Sequence, residues 1–507
     1  MRIFEKVGMS KPKMSGFDKS HERKMSFNMG ELVPCFMDEV VPGDRFKVNT
    51  EIMLRFAPMI APVMHRVNVY VHYFFVPNRI VWDEWEDFIT GGRLGTSSPT
   101  MPTINWGGGT GTGYQEGSLG DYLGLPVTDG TVQAAPINVC ALPFRAYQKI
   151  YNDFYRDQTQ EDEVDYTVTN QAFVLRQRAW EKDYFTSATP WTQRGTSPSI
   201  PLEGSASLTY RDAADLVKEG LGTPAAGGSV DIDNETSEAH LRDSAGDELQ
   251  IRNLDDVDVS SAGVDVNELR KTTAIQRWLE KQARGGGRYI ETILSHFGVS
   301  SSDKRLQRAE YLGGGRQPVI ISEVLNTSAT ATEPQGNMAG HGVAVGNINH
   351  FSSRFEEHGY VFGIMSVLPK TAYQQGVHKQ WLRDDKQDFY WPEYAHLGEQ
   401  AVQNAELYYD GADGTYNDGT FGYQQRYAEM KYACNTVHGE FRSSYNHWHC
   451  GRIFGSQPVL NNDFVKSDPT DRIFAVTAGS PDQILCQVYN NVKALRPMPY
   501  FADPRLI

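Results

Sequence analysis

Apolar and polar residues alternate along several short segments of the chain. In residues 46–56, one face carries Phe, Val, Thr, Ile, Leu and Phe, and most positions between them are polar. This period of two is typical of a strand with one buried face. Residues 67–76 repeat the pattern until Pro77 ends it. Further strands are predicted at 318–326, 359–368, 472–477 and 483–495, the last two joined by a hairpin-like turn.

A helical period is found in only a few segments. Residues 82–89, 143–157 and 267–284 each place apolar side chains on one helical face. Residues 91–131 are rich in Gly, Thr, Ser and Pro and are predicted to form a long loop. We find neither alternating βαβ units nor a repeat of 20–50 residues. The order of elements therefore favours an antiparallel sandwich with elaborate loops.

Composition supports this fold class and isolates one unusual segment. The 507 residues include 47 Gly, 25 Pro and 11% aromatic residues, which suits short strands and long loops. Residues 203–268 contain sixteen acidic and four basic residues, so they carry −12 of the net charge of −15. We predict a solvent-exposed insertion there. The predicted organisation is an N-terminal arm (1–44), two parts of a β core (45–202 and 269–507) and this acidic insertion (203–268).

The first 25 residues have a net charge of +4 in this otherwise acidic chain. They form either a solvated tail or an arm that touches phosphates or a neighbouring subunit. The candidate nucleic-acid contacts are Arg2, Lys6, Lys11 and Lys13. No apolar run suggests a signal peptide or a membrane span. Five well-separated cysteines predict a reducing compartment rather than a disulfide framework.

Two glycine-rich segments invite a phosphate-binding interpretation. Residues 107–113 lack the Gly-Lys-Ser/Thr of a P-loop and are predicted to be a flexible loop. Residues 283–289 hold two arginines around three glycines. They could bind phosphate or simply cap the end of a helix.

Two polar clusters were considered as sites of chemistry. Carboxylates beside tryptophan are what a glycosidase needs, but the same pattern is typical of any surface helix; they are Trp82, Asp83, Glu84, Trp85, Glu86 and Asp87. A second cluster has zinc-binding residue types but no common zinc spacing; it comprises Cys434, His438, His447, His449 and Cys450. We therefore assign no catalytic, metal-binding or cofactor-binding residue and predict that the chain is not an enzyme.

Ten stretches together resemble one protein family. They are GFDKSHERKMSF (16–27), GELVP (30–34), EVVPGD (39–44), APMIAPVMH (57–65), HYFFVPNR (72–79), PFRAYQKIYND (143–153), WEKDYFT (180–186), GEQ (398–400), GYQQRY (422–427) and RPMP (496–499). In this order they resemble the major capsid proteins of the Microviridae, small icosahedral phages with circular single-stranded DNA, and in particular the gokushovirus branch. The resemblance spans about 15–507, and residues 203–268 match least.

The resemblance implies an eight-stranded antiparallel jelly roll with long loop insertions and a few short helices. It also implies a T=1 shell without enzymatic activity, found in the virion and assembled in the host cytoplasm. The implied partners are other copies of the chain, a single-stranded DNA genome, a small basic packaging protein and a pilot protein. By position and composition, 203–268 corresponds to a variable insertion near the three-fold axes.

Two features remain open at this stage. The acidic insertion suits contact with a host surface receptor, through a cationic or calcium-bridged partner, although no calcium ligand can be assigned. The aromatic residues 389–392 either anchor a subunit interface or fill the chain's own core. The alternative function is a carbohydrate-binding or carbohydrate-active β-sandwich, which would need Trp82, Trp85 and the nearby carboxylates in an open cleft.

Overall fold

A computed structural model of the chain describes residues 13–92, 96–109, 112–196, 266–285, 294–295, 302–327, 335–475 and 482–501, together with the backbone of four three-residue strands between 216 and 251. The chain divides into two compact units. One consists of 1–192 with 281–507, and the other of 193–280. Within the described ranges, no helix combines the length and apolar character that a bilayer span requires.

The chain is mainly β. In chain order the strands are β1 Ser15–Asp18, β2 His21–Phe27, β3 Val33–Val40, β4 Arg45–Phe56, β5 Val67–Pro77, β6 Thr103–Trp106, β7 Ile137–Cys140, β8 Leu216–Lys218, β9 Asp231–Asp233, β10 His240–Arg242, β11 Leu249–Ile251, β12 Glu310–Pro318, β13 Ile320–Leu325, β14 Met338–Arg354, β15 Gly359–Pro369, β16 Glu399–Gln403, β17 Thr420–Gln425 and β18 Ile484–Arg496.

Eight strands form the framework of two antiparallel sheets, and the short strands β1 and β13 extend one of these sheets to six strands. Counted along the chain, the first pairs with the eighth (β2 with β18), the second with the seventh (β3 with β15), the third with the sixth (β4 with β14) and the fourth with the fifth (β5 with β12). Pairing of β18 with β4 and of β15 with β5 completes the sheets. Their strand orders are β1–β18–β4–β14–β13, with β2 also on β18, and β12–β5–β15–β3. This is the nested pairing of a jelly roll, which confirms the predicted fold class.

The core lies between these two sheets because alternate residues point inward. In β4, every second residue from Phe46 to Phe56 is buried, and β18 shows the same alternation from Ile484 to Ala494. Aromatic rings from both sheets meet there, with Tyr73 of β5 4.9 Å from Phe351 of β14. The strands predicted at 46–56, 67–76, 359–368 and 483–495 are therefore confirmed.

The helices are few and mostly short. They are α1 Trp85–Thr90, α2 Leu119–Tyr122, α3 Leu142–Ile150, which continues as a π-helical turn over Tyr151–Tyr155, α4 Thr169–Ala172 and α5 Val266–Gly285. Four-to-five-residue helical turns also occur at Asn404–Leu407, Gly414–Asp418, Ala428–Lys431 and Asn462–Val465. The helices predicted at 82–89, 143–157 and 267–284 are confirmed, apart from their exact ends. Buried residues of α3, including Phe144 and Tyr147, pack in one cluster with Phe74 and Phe362 of the four-stranded sheet.

Several predicted boundaries were wrong. Residues 472–475 form a turn in which Phe474 makes only an isolated bridge to Met59, and 476–477 lie outside the described residues. The predicted loop 91–131 contains β6 and α2. The strand predicted at 318–326 is the shorter β13. Among the strands that the structure describes, only β4, β5, β13, β15 and β18 were predicted.

A buried ion pair joins the end of β18 to the turn before β4. The carboxylate of Asp44 is fully buried and accepts hydrogen bonds from Nε and Nη2 of Arg496, at 3.1 and 2.9 Å. It also accepts the backbone N–H of Val41 at 3.0 Å. The guanidinium lies 5.5 Å from the ring centroid of Phe46. This contact fixes the last long strand against the edge of the core.

Candidate interaction surfaces

The cysteine and histidine cluster serves the fold. Nε2 of His449 lies 2.9 Å from the carbonyl oxygen of Phe441, and its Nδ1 accepts the backbone N–H of Gly451 at 3.0 Å. Nε2 of His438 lies 2.8 Å from Oγ1 of Thr436. Burial raises the pKa of the thiols of Cys434 and Cys450 to about 12. In the part of the chain that the structure describes, no three His, Cys, Asp or Glu side chains are arranged to hold a metal ion.

The acidic helix near residue 85 does not line a cleft. Trp82 is buried, and its ring lies 5.1 Å from that of Phe88. Trp85 packs against His358 at 5.8 Å. The four carboxylates all point to solvent on the other side; they belong to Asp83, Glu84, Glu86 and Asp87. This is the surface-helix arrangement, and it removes the cleft that the carbohydrate alternative required.

The two glycine-rich segments lie at the ends of regular elements. Gly107 follows β6 and has φ of +82°, a conformation that suits glycine. A Cβ at Gly108 would lie 2.4 Å from Nδ2 of Asn105, so the turn is packed against its own strand. Helix α5 ends at Gly285, as the capping interpretation predicts, and residues 286–289 lie outside the described part of the chain.

A cavity of about 990 Å³ lies between β5 and the π-helical turn. Burial, and then the charge of Arg178, lower the pKa of His72 to about 4, and its Nδ1 lies 2.8 Å from the hydroxyl of Tyr155. Burial alone would raise the pKa of Glu181, but hydrogen bonds from Lys370 and Tyr70 outweigh it and lower that pKa. Two more cations of the cavity are paired with carboxylates, Lys182 with Asp157 and Arg308 with Asp303. These charges largely satisfy one another, so we assign no ligand to the cavity.

The candidate nucleic-acid contacts fall mostly outside the described residues. Arg2, Lys6 and Lys11 lie there, and Lys13 is exposed just before β1. In the acidic insertion 203–268, only the backbone of β8 to β11 and the first turn of α5 are described. Strand β10 pairs with β9, and β11 pairs with β8, both antiparallel.

Large apolar side chains are exposed along one loop between β15 and β16. This aromatic loop surface consists of Trp381, Phe389, Tyr390, Trp391 and Leu397. Trp381 is 76% exposed and Trp391 is 53% exposed. The residues 389–392 therefore do not fill the core of this chain. The sequence had indicated the aromatic run but gave no signal for Trp381, which stands outside that run.

The backbone beneath this surface is held in place. The hydroxyl of Tyr427 lies 3.0 Å from the carbonyl oxygens of both Gln387 and Phe389. Its ring lies 5.2 Å from that of Tyr390, and Arg426 donates to the carbonyl oxygen of Gln387 at 2.7 Å. An exposed apolar surface on a fixed backbone is typical of a site that another protein covers.

Comparison with known proteins identifies the family of the chain. A family model described as capsid protein (F protein) matches residues 6–506. Capsid protein VP1 of Chlamydia phage 1 is 34% identical, with 99% of this chain and 97% of the relative covered. The VP1 capsid proteins of Bdellovibrio phage phiMH2K (36% identical; 97% and 95% covered) and Spiroplasma virus 4 (32%; 96% and 94%) are similar over comparable lengths. The role is thus structural rather than enzymatic, and the chain belongs to the capsid protein (F protein) family of gokushovirus-like Microviridae.

Proposed function

We propose that this capsid protein assembles with copies of itself into a closed T=1 icosahedral shell around a circular single-stranded DNA genome. The observation that carries the proposal is the aromatic loop surface, together with the rigid sandwich that supports it. A stable interface needs a few large anchors that are desolvated on contact, and Trp and Tyr are the residues that most often provide them. On an isolated subunit the same surface would favour aggregation.

The N-terminal arm and the acidic insertion have separate roles in this proposal. Arg2, Lys6, Lys11 and Lys13 contact the genome, since lysine and arginine bind phosphates without regard to sequence. A small basic packaging protein and a pilot protein complete the particle. The insertion 203–268 faces outward and contacts a host receptor, because its net charge of −12 would repel nucleic acid and suits a cationic partner.

Electron microscopy of the protein, co-expressed with its packaging partners, tests the shell. We expect closed particles of one size with residues 203–268 on the outside. A well-folded protein that stays monomeric under these conditions would contradict the proposal.

A deletion tests the insertion separately. Removal of 215–260 should leave particle assembly intact and abolish adsorption to host cells. Loss of assembly by a chain that still folds would assign the insertion a packing role instead.

A further inference from the structure

The outward face of the six-stranded sheet is basic, although the chain as a whole is acidic. Alternate positions of four strands place six cations there, against the carboxylates of Asp18, Glu22 and Glu51. All six cations are exposed; they are Lys24, Arg45, Lys47, Arg55, Arg354 and Lys493. We call these six residues the basic sheet face. Together with the three carboxylates, these six cations give the outward face a net charge of +3, in contrast to −15 for the whole chain.

Like charges stand directly opposite one another on this face. The strand register sets Lys47 of β4 against Lys493 of β18, and Arg45 of β4 against Arg354 of β14. Directly opposed side chains in a sheet have Cβ atoms only about 5 Å apart, so like charges destabilise the pair. Lys493 forms an ion pair with Asp18. Among the described residues, no carboxylate lies within 4 Å of the other five cations. An anion lying over the sheet would relieve this repulsion.

Two shallow depressions on the same face combine cations with apolar surface. One, of about 450 Å³, is lined by Arg45, Lys47 and Lys493 together with the apolar Leu495 and with Asp18, the ion-pair partner of Lys493. The other, of about 500 Å³, is lined by Lys24 and Arg55 together with Met53 and Leu485. At the usual rise of about 3.3 Å per residue, eight positions of β4 separate Lys47 from Arg55 by about 26 Å. A strand of several nucleotides is needed to reach both.

We propose that the basic sheet face binds single-stranded DNA, with phosphates on its cations and unpaired bases against the apolar side chains of the depressions. This inference rests on the proposed single-stranded DNA genome and assigns its contact to a face made of six strands rather than to the N-terminal arm alone. Charge complementarity favours a polyanion, and apolar side chains beside the cations favour unpaired bases over a duplex, whose bases are stacked inside.

The test compares two variants that remove the same charge. Lys47→Gln/Arg55→Gln takes one cation from each depression. Arg305→Gln/Lys386→Gln removes two exposed cations that lie outside both sheets and is the matched control. Binding of an oligothymidylate of about thirty nucleotides to unassembled full-length protein is measured by fluorescence anisotropy over a range of salt concentrations.

Each phosphate contact with single-stranded DNA contributes about 0.7 to the slope of log affinity against log salt. The Lys47→Gln/Arg55→Gln variant should therefore lower the magnitude of the slope by about 1.4. When salt is reduced from 1 M to 0.1 M, the affinity of the wild type should then increase about 25-fold more than the affinity of the variant. The control should keep the wild-type slope. Lys47→Arg/Arg55→Lys should keep it too, because both charges remain.

An unchanged slope in the Lys47→Gln/Arg55→Gln variant would overturn the inference. If that variant instead loses self-association in sedimentation while its slope is unchanged, the face contacts another copy of the chain, and the inference is again wrong. Electron microscopy of the same proteins reports on shell formation independently. Closed shells with an unchanged slope would therefore refute only the inference, whereas the absence of wild-type shells would refute the proposed function.

Discussion

Truncation of Trp381 offers the sharpest test of the aromatic loop surface. A fully exposed Trp presents up to about 250 Å², and the 76% exposure of Trp381 therefore leaves about 190 Å² for a neighbouring subunit to cover. At about 25 cal/mol per Å² this area corresponds to an upper limit of about 5 kcal/mol per contact. Ordering costs reduce the net value, and interface hot spots typically contribute at least about 2 kcal/mol.

We expect Trp381→Ser to raise the protein concentration needed for shell formation by at least about 30-fold, which is the equivalent of about 2 kcal/mol. Light scattering during assembly, with particles counted by electron microscopy, measures this threshold. Trp381→Phe keeps most of the apolar area and should assemble near the wild-type concentration. Both variants should unfold like the wild type, because the indole is outside the buried clusters. Assembly of Trp381→Ser at the wild-type threshold would refute this reasoning.

Three further predictions concern stability. Asp44→Ala should lower the free energy of unfolding by about 3–5 kcal/mol, because it leaves the guanidinium of Arg496, whose side chain is only 13% exposed, without a counter-charge. Denaturant titration should show a smaller loss in the Asp44→Ala/Arg496→Met double variant, and equal losses would contradict this account. Between pH 7 and 5 the free energy of unfolding of the wild type should fall by about 2 kcal/mol more than that of His72→Gln. Burial lowers the pKa of His72 in the folded chain to about 4, so the imidazole is protonated first in the unfolded chain as the pH falls below about 6.5. Parallel pH profiles of the two proteins would contradict this prediction. Gly376→Ala should lower the free energy of unfolding by about 1–3 kcal/mol, because its Cβ would lie 1.9 Å from the backbone carbonyl oxygen of Glu406. At Gly455 a Cβ would meet open space, so Gly455→Ala is the control and should melt like the wild type.

Strict alternation above one buried face made β4 and β18 predictable. Strand β15 is buried on both faces and was predicted from its continuous apolar run instead. Strand β3 is buried on both faces in its first half, so its sequence shows no period of two. Strand β12 contains three consecutive glycines, and β14 has a register shift between Gly346 and Asn349, both of which interrupt the pattern. The strand predicted at 472–477 is a short apolar run in sequence, but in its described part, 472–475, only Phe474 finds a partner, through a single bridge to Met59.

The surfaces were harder to predict than the fold. Family resemblance identified the capsid class, but exposure of Trp381 depends on packing that its neighbours in sequence do not encode. The basic sheet face joins residues more than 400 positions apart, such as Lys47 and Lys493, which only the strand register brings together. In the sequence these cations are scattered among polar residues of half-buried strands, where charged side chains are ordinary.

The pairing of the first long strand with the last has a consequence for biosynthesis. Strand β18 lies between β2 and β4, so residues 484–496 complete the middle of a sheet whose first strands, β1, β2 and β4, are made more than 400 residues earlier. Until then the edges of β2 and β4 that pair with β18 have no partner, and a nascent chain exposes unpaired strand edges. Closure of such distant contacts is slow. Folding of the sandwich must therefore follow synthesis of β18, and chains terminated before it should go to chaperones or proteases rather than into particles.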